Sequence, residues 1–426
     1  MNVLLVSLFH PELVRGGEQQ ICYELFQGLK EQPGVRPTLL ASIDESLPAL
    51  HKSGARITGF DGRVGEFLYL SRAYDYWWHR TSDASLLESY AEFLQVIRPD
   101  VVHFHHFLTL GIDLLTLTRR VLPAAKIVFT FHDFMAICAA DGHMLRKHDG
   151  SLCTHASQVR CHQCFPGQPP EQFFVRDRWM KKHLSVVDTF TTPSRFMIKH
   201  YVDWGIDPKR VFQVANVQTN RGVAPAIDTP RSKRNRFGFF GQMVDAKGIH
   251  VLLKAVEHLR AEGFTDFSVE LNGDNLRFAS EERRKEIEGF LEREAARPAR
   301  KQNVFFNGSY QVDQLAGRMA RVDWCIVPSV WWEIFGLVIS EAWMFGRPVI
   351  ASNVGGPAER IRHGVDGLHF QVADAKSLAA VMHRACTEEG LWHKLAAGIT
   401  PPTPRETMVR QYMALYYGEP KAVASA

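Results

Sequence analysis

The sequence predicts an α/β protein built from two Rossmann-like, doubly wound parallel-sheet domains in tandem. Three observations lead there. Short apolar runs alternate with amphipathic stretches twice over, once before residue 219 and once after residue 236. Residues 219–236 between the two series are polar and basic and hold two prolines, a linker composition. The length of 426 residues also exceeds what one core ordinarily organises. Two such domains leave a cleft between the carboxyl ends of their sheets, the edge at which open α/β sheets bind ligands.

In the first half, strand-like runs stand at residues 3–8, 38–42, 101–105, 126–131 and 187–192. The stretches 18–31, 67–97, 110–121 and 173–184 read as helices, the second of them rich in aromatics. The run over 1–9 is apolar but short and has no basic leader, so it reads as a buried first strand, not a signal peptide. In the second half, strands are expected at 237–240, 268–272, 304–307, 323–327 and 348–351, with helices at 248–262, 281–297, 312–321 and 337–345. The helix 337–345 is apolar nearly all round and therefore buried; Gly346 and Pro348 stop it. A final helix, 405–417, follows the break Pro401-Pro402-Thr403-Pro404. The expected domains are 1–218, with a cysteine-rich insertion at 138–164, then the linker 219–236, a second domain at 237–404 and a closing segment at 405–426.

A hydrophobic fraction of 46% with 23% charged residues is that of a soluble globular chain. A net charge of +4 permits contact with an acidic membrane surface or an anionic substrate and does not argue for nucleic acid. No apolar run reaches the roughly 18 residues of a membrane-spanning helix, so the expected location is cytoplasmic.

The chemistry concentrates in Val327-Pro-Ser-Val-Trp-Trp-Glu-Ile-Phe-Gly-Leu-Val-Ile-Ser-Glu-Ala342, a strand, a short loop and a helix. Glu333 and Glu341 flank a glycine, and carboxylates are seldom buried without a partner. A helix beginning at Gly336 leaves N–H groups free for an anion. Glu341, one turn deeper, suits two hydrogen bonds from a vicinal diol such as a ribose, and Glu333 suits sugar hydroxyls. Eight helical residues span roughly 12 Å, too far for the two to share one reacting centre. The residues alone also fit carboxylates that cap the helix or pair with arginines.

Gly16-Gly17 follows the first strand, as a close backbone approach to a ligand or a plain tight turn. It is not G-x-G-x-x-G, so a dinucleotide site is unsupported. His132-Asp133 closes one strand, and His103, His105 and His106 crowd the end of another. Cys138, Cys153, Cys161 and Cys164 give C-x14-C-x7-C-x2-C, which fits a four-thiolate structural zinc site, free or redox thiols, or disulfides. Tyr69, Tyr74, Tyr76, Trp77 and Trp78 either face a membrane or partner or form a buried aromatic cluster.

Glu333-Ile-Phe-Gly-Leu-Val-Ile-Ser-Glu341 resembles the E-x7-E signature of the retaining glycosyltransferases of family 4, which have the GT-B fold. Other motifs fall in the family's order: Gly16-Gly17, Phe131-His132-Asp133, Phe240-Gly241-Gln-Met-Val-Asp-Ala-Lys247-Gly248, and Asn353-Val-Gly-Gly-Pro-Ala-Glu359. The resemblance covers essentially the whole chain. It implies transfer of a sugar, with retention, from a nucleotide-diphosphate donor of UDP or GDP type to a glycan or lipid-linked acceptor hydroxyl. Glycan, polysaccharide or glycolipid biosynthesis follows, with peripheral contact at the inner membrane face.

By the same resemblance residues 1–218 face the acceptor, 237–404 bind the nucleotide sugar, and the last helix crosses back to the first domain. His132, Glu333 and Lys247 take the catalytic roles. Lys247 meets the donor diphosphate together with Gly241, Gln242 and the backbone of Ile334, Phe335, Gly336, Leu337 and Val338. Glu341 holds the ribose, Glu333 the sugar, and Gly16 and Gly17 approach the donor. His105, Asp133, Asp141 and His143 belong to the acceptor side. The sequence has no Asp-x-Asp to hold a metal–diphosphate complex, so no catalytic metal is expected. Gln242 departs from the family's usual arginine; Arg15 and Arg195 are the candidates for the missing charge. A nucleotide-sugar epimerase of the same fold, or a catalytically weak binding relative, are the alternatives.

Overall fold

The computed structural model describes residues 1–43, 55–71, 73–217 and 233–419. Residues 219–232 of the expected linker lie outside the described residues. The chain divides into two compact units, Met1–Thr219 with Thr403–Ala426, and Asn220–Pro402.

The first unit holds an eight-stranded sheet. Its strands are β1 (Asn2–Ser7), β2 (Arg36–Ser42), β3 (Ile57–Gly59), β4 (Glu66–Tyr69), β7 (Val101–Phe104), β8 (Lys126–Thr130), β9 (Thr189–Thr192) and β10 (Val211–Gln213), with a separate two-stranded ladder of β5 (Tyr74–Asp75) and β6 (Arg80–Thr81). The order is β10-β9-β8-β7-β1-β2-β4-β3, parallel throughout except for β3 on β4. Val3 to Val6 of β1 are at most 1% exposed, as a central strand covered on both faces must be. Connections run one way from β1 through β2 and the other way from β7 through β10, so the order reverses between β1 and β7.

Residues 67–97 are not one helix. Phe67, Leu68 and Tyr69 ladder onto Leu40, Ala41 and Ser42 of β2. Asp75 Oδ1 then accepts from the backbone N–H of Trp77 at 3.0 Å and Trp78 at 3.1 Å and turns the chain. The helix starts only at Ala84, where the Asp83 side chain caps Leu86 N. An aromatic run suits a strand as well as a helix face, and periodicity does not separate them. The aromatics mostly pack inward: Tyr69 is 1% exposed and Trp78 meets Trp179 edge-on, while Tyr76 stays exposed.

The helix Arg405–Tyr417 packs in this first unit. Arg405 donates to Glu31 Oε1 at 2.7 Å on the end of the helix Gly17–Lys30. The Tyr412 hydroxyl lies 3.1 Å from Thr130 Oγ1, and the Tyr416 hydroxyl 2.8 Å from His103 Nδ1. The two helices approach so closely at Gly28 that a Cβ there would stand 2.4 Å from Val409 Cγ2.

The second unit is a six-stranded, all-parallel sheet of β11 (Arg236–Phe240), β12 (Ser268–Asn272), β13 (Val304–Phe306), β14 (Trp324–Val327), β15 (Val349–Ser352) and β16 (Gly367–Phe370). The order β13-β12-β11-β14-β15-β16 is that of a dinucleotide-type doubly wound sheet, with its reversal between β11 and β14. Trp324 is fully buried there, and its indole N–H donates to Arg234 O at 2.8 Å. The expected helix at 312–321 is shorter, a 3-10 turn Val312–Gln314 leading into Leu315–Met319.

Gly28→Ala is expected to destabilise the protein by about 1–3 kcal/mol through overpacking, exceeding the roughly 1 kcal/mol that alanine gains in helix propensity. Adding Val409→Ala should recover part of the loss in urea unfolding. A Gly28→Ala variant as stable as wild type counts against the close approach.

Candidate functional site

Where the second sheet reverses, the loops after β11 and β14 leave side by side. The first makes a 3-10 turn, Asp245–Lys247, and ends at Gly248 with φ of +69°. A Cβ on residue 248 would stand 1.8 Å from Pro328 O, so only glycine lets this loop seat against the next and deliver Lys247. Val330 N donates to Ala246 O at 2.9 Å and fastens the two loops.

Glu333 sits in the second loop and is 6% exposed. Its Oε2 receives three hydrogen bonds: Lys247 Nζ at 2.6 Å, Ser329 Oγ at 2.9 Å and Trp331 Nε1 at 3.1 Å. Burial alone would raise this carboxyl, but the Lys247 ammonium with the serine and indole donors outweighs it and holds it below the ordinary glutamate range. Oε1 accepts no hydrogen bond among the described residues. The buried carboxylate thus keeps one acceptor oxygen open.

The loop after β15 supports this one from below. Gly356 N donates to Glu333 O at 2.7 Å, and at Gly355, φ +61°, a Cβ would meet Glu333 O at 2.5 Å. Arg360, ending the helix Gly355–Arg360, donates to Phe335 O and Gly336 O at 3.0 Å each and to Ser340 Oγ at 2.6 Å, its guanidinium over the Phe335 ring. Burial pulls the Arg360 guanidinium down to about 9. Ile334 and Phe335 are buried, and Gly336 is the N-cap of the helix Leu337–Met344, whose first residues Leu337 and Val338 are half-buried. Because that helix starts after Glu333, the helical 12 Å spacing does not apply between the two glutamates. Glu341, half-buried within it, has no hydrogen-bond partner among the described residues, and burial pushes its carboxyl up to about 7. Gly241 turns the chain at φ +143°, and Gln242 is exposed.

The first unit carries the remaining candidates at its own reversal. Gly16 caps the helix Gly17–Lys30 in an extended conformation. His132 Nε2 lies 3.0 Å from His105 Nδ1 with the rings stacked. Burial holds His103, His105 and His132 well below the ordinary imidazole range, so all three are neutral at pH 7. His106 and Asp133 pair at 2.7 Å: burial opposes both charges, but their mutual attraction raises the imidazole and lowers the carboxyl. His105 is fully buried behind His132. Asp141 is exposed, with φ of +51°, and His143 is half-buried beside it.

Cys138, Cys153, Cys161 and Cys164 line one cavity of about 30 Å³ and carry no disulfide. Their sulfurs are not among the described groups whose donor atoms all lie within 4.8 Å. A Zn–S bond of about 2.3 Å requires sulfurs roughly 3.8 Å apart, so the four-thiolate zinc geometry is not formed. Burial pushes the Cys161 thiol up to about 11, so that one thiol is unreactive at neutral pH.

Lys247 and Glu333, assigned separate tasks from the sequence, are a direct ion pair. Ser329, Trp331 and Arg360 went unnoticed there. The first two stand four and two residues before Glu333, a local signal; Arg360 acts across two helices and leaves none.

Two parallel α/β units, each with its polar residues at the reversal of strand order, define the GT-B fold. The chain belongs to glycosyltransferase family 4: a family model described as Glycosyltransferase Family 4 matches residues 15–217, and one described as Glycosyl transferases group 1 matches residues 234–388. The Anabaena protein HepE, solved in complex with UDP-glucose, is similar over 100% of both chains, with a TM-score of 0.63 and 16% identity. Sucrose-phosphate synthase from Thermosynechococcus elongatus is similar over 100% of both, with a TM-score of 0.68 and 17% identity. At such identities the likeness is one of fold. Among curated relatives, the D-inositol 3-phosphate glycosyltransferase of Streptomyces bingchenggensis is 29% identical over 216 residues, 47% of this chain and 45% of that protein. An uncharacterized glycosyltransferase of Methanocaldococcus jannaschii is 28% identical over 152 residues, 36% of each. The chain thus spans less than half the length of these relatives.

A carboxyl whose folded-state pKa is raised stabilises the fold most when protonated, and stability is lost as pH rises from about 4.5 to about 7. Glu341→Gln cannot ionise. It should therefore gain on the order of 2–3 kcal/mol over wild type at pH 8 and nothing at pH 4, in thermal denaturation at the two pH values. An equal difference at both would place the Glu341 charge in water.

Proposed function

We propose that the protein transfers a sugar, with retention, from a nucleotide-diphosphate donor of UDP or GDP type to an acceptor hydroxyl, without a catalytic metal ion. The observation that carries this reading is the Lys247–Glu333 pair beside the start of the helix Leu337–Met344. It sets a cation, free helix N–H groups and an open carboxylate oxygen at one strand-order reversal.

In this reading the diphosphate takes Lys247 as a point-charge partner and the amides of Phe335 to Val338 as donors. Gly241 and Gln242 flank it. Glu333 Oε1 accepts from the donor sugar's hydroxyls while Oε2 remains held. Glu341 receives the two ribose hydroxyls, which replace the hydration its carboxylate lacks. Leaving-group charge is stabilised by Lys247 and the helix start, a role that metal ions fill elsewhere. Same-face attack leaves the departing phosphate to accept the acceptor's proton. His132, kept neutral, supplies a hydrogen bond to the donor sugar, with Gly16 and Gly17 nearby, while Asp133, Asp141 and His143 line the acceptor side. A glycan or lipid-linked acceptor at the inner membrane face fits the family; among the described residues no helix is long and apolar enough to cross a membrane. HepE's complex with UDP-glucose supports a UDP donor.

UDP-, GDP- and ADP-sugars are to be compared by thermal shift, because a ligand of the native state raises Tm by mass action. One donor should stand out and then be consumed with acceptor. Lys247→Ala should lower kcat about 10²–10³-fold, the loss for a preorganised charge stabiliser. Glu333→Gln should cost turnover with nucleotide binding kept. Binding without turnover on any acceptor would favour the weak-binding relative; epimer released without acceptor would favour the epimerase.

A further inference from the structure

The first unit contains a second constellation, set behind His132, that the proposed transfer step does not touch directly. Glu18 lies in the first turn of the helix Gly17–Lys30, Cys22 one turn further along it, and His105 just beyond β7. One donor atom from each lies within 4.8 Å of the others, and this is the only such group of three or more among the described residues. Cys22 and His105 are 0% exposed and Glu18 is half-buried.

Two of these three residues hold atoms with nothing to bond. Glu18 Oε2 and His105 Nε2 are buried polar atoms without a hydrogen-bond partner. Buried polar groups are otherwise nearly always satisfied, so an orphaned atom on each of two of the three gathered residues calls for an occupant. Their remaining atoms are fixed. Glu18 Oε1 takes the Ser7 hydroxyl at 3.3 Å and Leu8 N at 3.4 Å. His105 Nδ1 is engaged by His132 at 3.0 Å. A ring nitrogen left bare while the other is bonded outward is the arrangement of a metal-ligating histidine with its supporting partner.

The geometry points to a zinc site formed by Glu18 Oε2, Cys22 Sγ and His105 Nε2. Carboxylate, thiolate and imidazole are zinc's usual ligands. One carboxylate and one thiolate neutralise the dication, so no net charge is buried. Bond lengths of about 2.0–2.3 Å set donor–donor edges of roughly 3.3–3.6 Å, and the present separations close to these with shifts on the order of 1 Å. Binding releases the Cys22 thiol proton to solvent. A fourth position remains for water. Zinc on His105 Nε2 places that ring's hydrogen on Nδ1, donated to His132 Nε2, and so fixes which nitrogen of His132 carries its own hydrogen. Zinc thereby acts as a positioning element one hydrogen bond behind His132.

Anomalous diffraction at the zinc edge, from wild-type crystals grown with zinc, is expected to show a peak within bonding reach of all three atoms. Zinc found only among Cys138, Cys153, Cys161 and Cys164, or none at all, overturns the site. In solution, Glu18→Gln and Cys22→Ser should each carry one zinc fewer per chain than wild type by metal analysis after gel filtration. Glu18→Gln, isosteric and partly exposed, keeps the comparison valid should Cys22→Ser fold poorly. Equal zinc content in Glu18→Gln and wild type overturns the site as well. Both measurements read metal, so they stand apart from whether any sugar is transferred.

Discussion

A carboxylate withdrawn from water has to be surrounded by groups that replace the water. Glu333 organises the second unit in this way. Its Oε2 takes a cation and two neutral donors. Its backbone carbonyl is bound by Gly356 N, and Arg360 ties down the carbonyls of Phe335 and Gly336. Loops after three different strands are thereby drawn to one point. Removing one partner of a buried ion pair costs about 3–5 kcal/mol. The exposure of the Lys247 side chain, 32%, moves this pair toward the lower end.

The two alternating series, and with them the parallel sheets, were legible because fully buried strands such as β1, β11 and β14 are continuous apolar runs between glycine- and proline-marked turns. Glu333, Lys247 and Gly248 stood out because charge and glycine interrupt those runs. Strand β4 was hidden: its aromatic run reads equally as helix. The pairing of Lys247 with Glu333 was hidden for another reason. The two are far apart in sequence, and only the order β11-β14 brings their loops together. Arg360 was invisible on the same ground. The cysteine spacing suggested a metal tetrahedron, yet spacing fixes which sulfurs share a loop and not their separation.

The two reversals are chemically unlike. The second unit places full charges there and compensates them. The first unit places mainly neutral imidazoles, packed ring on ring, with one ion pair, His106–Asp133, at the edge. Stacked neutral rings hold hydrogen-bond direction at little electrostatic cost, which suits orientation of hydroxyl groups better than binding of phosphate.

The helix Arg405–Tyr417 closes a unit that begins at Met1. Its tyrosines add hydrogen bonds to His103, Thr130 and Thr191, buried polar side chains of the sheet that also bond one another. On a ribosome adding about 5–20 residues per second, the first unit waits roughly 10–40 s after its own sheet has emerged before that helix exists. During that interval the second unit can fold and the first cannot finish. Order of synthesis and order of completion are therefore inverted, and a lesion in the last thirteen helical residues strikes the amino-terminal half of the molecule.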